Sequence, residues 1–382
     1  MNIVLIDTAG YPNKLNATNI KAEFIARGLA ENGGVTTIVD IPYGTDGNLQ
    51  VTYGFSQNKI RYIQLPQTGQ NIKKAWENIH LYEEILKELY VQDDDNVVIF
   101  GFFFLPFYLR LCHIAKKCGY KKFFLYEEWN VKTKHPSFIA ALEDYLMTYT
   151  FGYFLDGILP ISHFLEKKSK RFHKPQMILP IMAEFKEEEK MPPIGNHFSF
   201  CANVKYLLRN KIILEAFEKL HHVKPECKLC LVLSGKEYDM NNLQAYLDTL
   251  TSKANIFIKY KIPQNELMQL YRSSYALICP LDPRNIVDKA RFSQKIAEYL
   301  SCARPVITNN VGEIPYYLHD RDDAIIVDYS VEGFFEAMKY VCENEGEAIK
   351  IGRQGFYSGK DKFDIGINGT RLLGFIKSTI KQ

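Results

Sequence analysis

The residues that best combine chemistry with spacing run Phe292-Ser293-Gln294-Lys295-Ile296-Ala297-Glu298-Tyr299-Leu300-Ser301-Cys302-Ala303-Arg304-Pro305-Val306-Ile307. The pattern reads as a polar helix start, one short helix, a tight turn and a buried strand. A helix start at 293–295 offers a phosphate both unpartnered backbone N–H groups and positive potential. Glu298 stands one turn further in, on a different face from Ile296 and Leu300. There a carboxylate could accept two hydroxyl hydrogen bonds from a ribose; an ordinary exposed helix glutamate is the plain alternative. Lys205, Arg209 and Lys211 follow the strand Phe198-Ser199-Phe200-Cys201-Ala202. Cations just past a strand's carboxyl end can neutralise a diphosphate, or can simply begin a solvated helix. Near the start of the chain, Asp7-Thr8-Ala9-Gly10-Tyr11-Pro12 follows a strand and precedes a helix. Such a loop can bring N–H groups to a ligand, though a turn alone also explains the glycine. With no GxGxxG and no P-loop, neither a dinucleotide nor an ATP phosphate cradle is supported.

The elements that must position these residues alternate strand and helix. In the first half, apolar strands are predicted at 3–6, 35–40, 97–102, 122–126 and 157–161, with helices over 18–32 and 72–91. Nearly continuous apolar strands belong to a sheet buried on both faces. A charged, glutamate-rich stretch with Pro192-Pro193 follows at 184–196 and reads as an interdomain linker and hinge. A second series then predicts strands at 197–202, 229–234, 255–260, 275–280, 304–308 and 324–328. Its helices fall at 210–221, 240–251, 264–273, 293–302 and 331–343. Two such series imply two doubly wound α/β domains of the Rossmann-like kind, facing each other across a cleft. The domains expected are 1–183 on the acceptor side and 197–361 on the donor side.

Composition fits that size. The chain has 382 residues, 47% hydrophobic and 24% charged, enough for two soluble cores. A net charge of +3 gives no reason to expect a nucleic-acid partner. The basic run at 166–174 is a solvated face or a patch for peripheral contact with a membrane. Met1 leads directly into a strand and no apolar stretch reaches membrane length, so a cytoplasmic protein is expected. Eight scattered cysteines read as reduced, buried thiols. Cys227 and Cys230 form a CxxC without a second one, so no metal site is expected there.

The stretch from Lys295 through Glu298 to Arg304-Pro305-Val306-Ile307 resembles the donor-site motif of the family-4 retaining glycosyltransferases, which have the GT-B fold. Asp156-Gly-Ile-Leu-Pro-Ile-Ser162 is similar to the strand and serine closing that family's first domain. Leu231-Val-Leu-Ser-Gly235 is similar to a strand and glycine of its second. The stretch 362–382 resembles its terminal helix, which packs back on the first domain. The resemblance implies a nucleotide-sugar donor, a glycan or lipid-linked acceptor, retention at the anomeric carbon and a role in cell-surface polysaccharide synthesis. It implies that Glu298 holds the ribose and that Arg209, with Lys205, takes the diphosphate. It places Ser293, Gln294 and Lys295 at the phosphates or sugar, Lys261 and Ile262 near the base, and Gly10 and Tyr11 toward the transferred sugar. No metal or cofactor is then required. Glu127, Glu128 and Trp129 could assist the acceptor, or Glu127 and Glu128 could be surface carboxylates. Where the family carries a second glutamate eight positions before Glu298, this chain has Ala290, and the glycine of the tight turn is Ala303. A non-catalytic binding homologue is one rival. Another is an epimerase or hydrolase, for which His135 and His163 are the acid–base candidates.

Overall fold

The structure is a computed structural model that describes residues 1–8, 10–12, 17–40, 50–66, 76–101, 104–128, 131, 137–186 and 194–381, with Arg209 described by its backbone alone. It divides into two units. The first comprises Met1–Met182, Lys289–Phe292 and Phe363–Gln382; the second comprises Ala183–Asp288 and Ser293–Lys362. Residues 187–193 of the expected linker lie outside the described residues.

In the first unit the elements run β1 (Asn2–Thr8), α1 (Ala17–Glu31), β2 (Val35–Asp40), β3 (Thr52–Phe55), β4 (Arg61–Gln64), α2 (His80–Leu89), β5 (Asn96–Phe100), α3 (Leu105–Lys117), β6 (Lys121–Tyr126), α4 (Phe138–Thr150), β7 (Gly157–Pro160) and α5 (His163–Ser169). Strand order is β3-β4-β2-β1-β5-β6-β7, parallel except for β3, which pairs antiparallel with β4. Leaving β3 aside, this is the Rossmann order 3-2-1-4-5-6. Every residue of β1 and β5 is buried, as helix cover on both faces requires. The β3–β4 pair was not expected. β3 alternates between half-buried and exposed residues at the sheet edge and β4 fully buries Ile63 alone, so the pair lacks the apolar run that marks the central strands.

The second unit runs β8 (His197–Asn203), α6 (Val204–Arg209), α7 (Ile212–Val223), β9 (Lys228–Ser234), α8 (Glu237–Leu247), β10 (Ile256–Tyr260), α9 (Gln264–Arg272), β11 (Ala276–Cys279), α10 (Ile286–Ala290), α11 (Gln294–Leu300), β12 (Val306–Asn309), α12 (Ile314–Tyr317), β13 (Ile325–Val327), α13 (Val331–Glu343) and α14 (Glu345–Phe363). Its sheet, β10-β9-β8-β11-β12-β13, is parallel throughout and again has the order 3-2-1-4-5-6. Each unit is thus a doubly wound α/β domain.

The last helix, α15 (Ile365–Ile380), belongs to the first unit. It crosses α1 where two glycines meet. A Cβ on Gly28 would lie 2.5 Å from the Ile365 carbonyl, and one on Gly369 would overlap the Gly28 carbonyl. Asn32 locks the crossing by donating to the carbonyls of Gly28 (2.8 Å) and Gly366 (3.1 Å). Lys289–Phe292 also falls in the first unit, although the sequence places it in the second domain. Ser162 donates to the Ala290 carbonyl at 2.6 Å, and the Phe292 ring packs edge-on to Phe363 at 5.2 Å. Ala290 is fully buried, so the position of the family's second glutamate is here a packing position.

Candidate functional site

A doubly wound sheet binds ligands outside the carboxyl ends of its strands, where the strand order reverses. In the second unit that point lies between β8 and β11. Asn203 closes β8 and caps α6, its side chain accepting from the Lys205 N–H at 3.0 Å. The Tyr206 hydroxyl donates to the Pro280 carbonyl at 3.0 Å and fastens α6 to the end of β11. Ser293, buried, lies with its Oγ 3.9 Å from the Sγ of Cys279, so the start of α11 sits at the carboxyl end of β11. Tyr299 anchors α11 over β8. Its hydroxyl accepts from the Cys201 N–H at 3.2 Å, and its ring meets Tyr271 edge-on at 4.9 Å.

Glu298 projects from this anchored helix into a buried position, 9% exposed. Burial pushes its carboxyl up to about 7, while the Lys295 ammonium and a hydrogen bond from Gln294 pull it back. An ordinary surface glutamate would do neither. The short helix is finished by Ser301 and Cys302, which donate to the Glu298 carbonyl at 2.8 and 3.2 Å. Burial of the carboxylate thus outweighs the help it draws from Lys295 and Gln294. Such a group binds ligand hydroxyls that replace the lost water.

The turn after α11 carries a cost. Ala303 adopts a left-handed φ of +53°, the position at which the resembling family has glycine. An alanine there costs about 1–2 kcal/mol, partly offset by the lower entropy of its unfolded chain. Ala303→Gly is expected to stabilise the protein by about 0.5–1 kcal/mol, read as a higher denaturant midpoint at unchanged slope.

The other donor-side residues are placed as follows. Lys205 is exposed on the first turn of α6. Arg209 ends that helix, and its side chain lies outside the described residues. Lys211 instead sets its ammonium 3.6 Å over the Tyr246 ring. Lys261 follows β10 in a left-handed conformation, exposed, with its ammonium 4.9 Å over Tyr260; Ile262 is half-buried beside it. Both lie at the carboxyl end of a strand two places from β8. The CxxC cysteines do not face each other. Cys230 is buried in β9, and Cys227 faces Cys342, Sγ to Sγ 3.4 Å.

In the first unit the order reverses between β1 and β5. The Gly10 N–H is not offered to a ligand: it donates to Asp40 at 2.6 Å. Tyr11 is turned inward, 3% exposed, with its hydroxyl on Glu23, so its ring serves the core and not a sugar. Glu127, at the end of β6, is no surface carboxylate: it is buried and ion-paired with Lys21. Glu128 is half-buried; Trp129 and His135 lie outside the described residues. His163 opens α5.

Asp7, which opens the loop before Gly10, and Lys21, which no motif marks, complete the cluster. Asp7, at the end of β1, is buried and its carboxyl is raised to about 6 by burial, against the pull of Lys21. Burial lowers the Lys21 ammonium, with Asp7 and Glu128 drawing it back up. A signal was present. Lys21 shares the spacing of Ile25 and Gly28 on the inward stripe of α1, and Asp7 interrupts the apolar run of β1.

Comparison with known proteins agrees with this architecture. Residues 196–344 match the family described as "Glycosyl transferases group 1". A search of curated protein sequences gave no match. Among solved structures, Anabaena HepE in complex with UDP and glucose is similar with a TM-score of 0.76 at 10% identity, covering 99% of this chain and 100% of that one. Sucrose-phosphate synthase from Thermosynechococcus elongatus follows at 0.73 and 14%, covering 100% and 99%. A glycosyltransferase from Rickettsia africae gives 0.72 and 15%, again covering 100% and 99%. Residues 196–344 are a glycosyltransferase group 1 domain within a chain of GT-B fold, and the protein is a glycosyltransferase.

Proposed function

We propose that the protein transfers a sugar from a nucleoside-diphosphate sugar to a hydroxyl of a glycan or lipid-linked acceptor, with retention, in the synthesis of a cell-surface polysaccharide. The observation that carries this reading is the buried Glu298 carboxylate on a helix that starts at the carboxyl end of β11. In this reading Glu298 accepts the ribose hydroxyls. Ser293, Gln294 and Lys295 meet the phosphates, and Lys205 and Arg209 supply the positive charge that a metal would otherwise bring. As the bond from anomeric carbon to diphosphate oxygen breaks, the acceptor hydroxyl bonds to that carbon from the same side. Its proton passes to the departing diphosphate. Acceptor binding is assigned to the first unit, with Glu128 the candidate carboxylate and Glu127 its positioning neighbour. A cytoplasmic enzyme in peripheral contact with a membrane fits such an acceptor. Among the described residues no helix is long and apolar enough to cross a membrane.

The test is a thermal-shift panel of nucleoside diphosphates and their sugars, with uridine nucleotides first because HepE was solved with UDP and glucose. One base is expected to raise the midpoint of the wild type and to leave Glu298→Ala unmoved, since binding to the folded state alone raises stability by mass action. A flat panel, or an equal shift in both proteins, sinks the donor-site assignment.

A further inference from the structure

Helix α4 is built inside out. Phe138, Ile139, Leu142, Tyr145, Leu146 and Tyr149 are all exposed, Phe138 and Ile139 at 81% and 77%. At 100° per residue these six fall within an arc of about 120°, a continuous apolar stripe. The two charged residues of the helix lie outside this arc, Glu143 beside it and Asp144 opposite it. Glu143 and Asp144 are half-buried, and Glu143 accepts from the Leu105 N–H at 3.0 Å. Met147 is the helix's buried side chain. A surface helix ordinarily turns its apolar stripe to the core and its charges to water, and this one does the reverse. The stripe continues past the helix through Tyr153 and Phe154, 60% and 44% exposed.

The basic run borders this stripe. Arg171 stacks its guanidinium 4.5 Å over the Tyr149 ring, and Tyr153 packs edge-on to Phe172 at 5.1 Å. Lys167 and Lys170 are exposed on the same short segment. An apolar face rimmed by tyrosine and flanked by lysine and arginine matches the headgroup layer of an anionic bilayer. Rings and aliphatic side chains enter the acyl boundary there, while cations meet lipid phosphate. A second copy of the chain fits less well, because a two-fold contact across this stripe brings the same cations together.

We propose that α4 docks the protein on an anionic phospholipid surface, lying in the plane of the interface with Lys167, Lys170 and Arg171 on the headgroups. At 13 residues the helix lies on a bilayer and does not cross it. The inference rests on the proposed peripheral contact with a membrane. Its test uses neither donor nor acceptor, so the docking and the transfer reaction can fail separately.

The full chain would be floated with vesicles of phosphatidylcholine, with and without phosphatidylglycerol. The wild type is expected to float with the anionic vesicles alone. Phe138→Ser with Ile139→Ser should weaken that binding by at least about tenfold. Lys167→Gln with Lys170→Gln should weaken it about fivefold per charge. Neither pair should lower the thermal midpoint, since all four side chains are exposed. Three outcomes overturn the proposal: a wild type that ignores anionic vesicles, variants that float as it does, or a wild-type dimer that the serine pair converts to monomer. The last assigns the face to a second copy.

Discussion

Glu298→Gln is expected to lower kcat/KM for sugar transfer by at least about a hundredfold while making the ligand-free protein more stable above neutral pH. The two effects have one cause. A buried carboxylate that waits for ligand hydroxyls is poorly solvated until they arrive, and its carboxyl is held up at about 7. Hydrogen bonds to a charged group are worth about 1.5–3 kcal/mol each, so losing the charge at two of them supplies the loss of activity.

The stability half follows from the direction of that shift. The folded pKa lies above the unfolded one, so the folded state binds the extra proton between them. Stability from this group is full below about 4.5, falls as pH rises and is lost once pH passes about 7. Above that point ionised Glu298 destabilises the empty protein by up to about 3 kcal/mol. Glutamine removes this penalty but still buries an amide, so a gain of about 1–3 kcal/mol is expected near pH 8. Below about pH 4.5 the gain should vanish. Thermal midpoints of the two proteins across pH read it directly. Parallel curves at every pH would mean that Glu298 is solvated, and the functional reading would lose its main support.

Much of the architecture was legible because parallel strands buried on both faces leave continuous apolar runs. All eleven strands read in the sequence form, with ends shifted by a residue or two. What escaped was held by contacts that leave little local pattern. The pair β3 and β4 sits at the sheet edge, half in water. Helix α14 carries Gly346, Gly352, Gly355 and Gly359, a composition that argues against a helix. Three of those glycines are the point of contact. A Cβ on Gly352 would lie 2.7 Å from the Arg304 carbonyl carbon, one on Gly355 would lie 2.6 Å from the Asp323 carbonyl, and one on Gly359 would press on Leu300 and Phe185. Close approach to the turn after α11 overrides helix propensity. At the site, Glu298 was legible from a motif and from its place on a short helix. Its burial was not, because burial depends on Tyr271, Tyr299 and the strands beneath. The partners of Gly10 and Tyr11 were hidden for the same reason. Asp40, thirty residues from Gly10, takes its N–H, and no local pattern announces that partner.

The second large effect belongs to the cluster that the sequence hid. Lys21→Met is expected to destabilise the first unit by about 3–5 kcal/mol at neutral pH, because it strands Glu127 and Asp7 without their cation. The native cluster is not thereby a source of stability. Taking its charges out of water costs about as much as their attraction returns, so replacing the pair together should be far milder than breaking it. Lys21→Met with Glu127→Gln should therefore recover most of the loss. The pH dependence separates this account from simple loss of packing. Without Lys21 the Asp7 carboxyl rises further above its present value of about 6, and its folded pKa lies well above the unfolded one. Stability of the variant should then fall as pH rises from about 3.8 to that folded pKa, and be restored in full only below about 3.8. A methionine that merely packed badly would give the same deficit at every pH. Denaturant melts of the single and double variants at two pH values decide between them. A double variant as weak as Lys21→Met, with no pH dependence in either, would show that the methionine and not the orphaned carboxylates sets the cost.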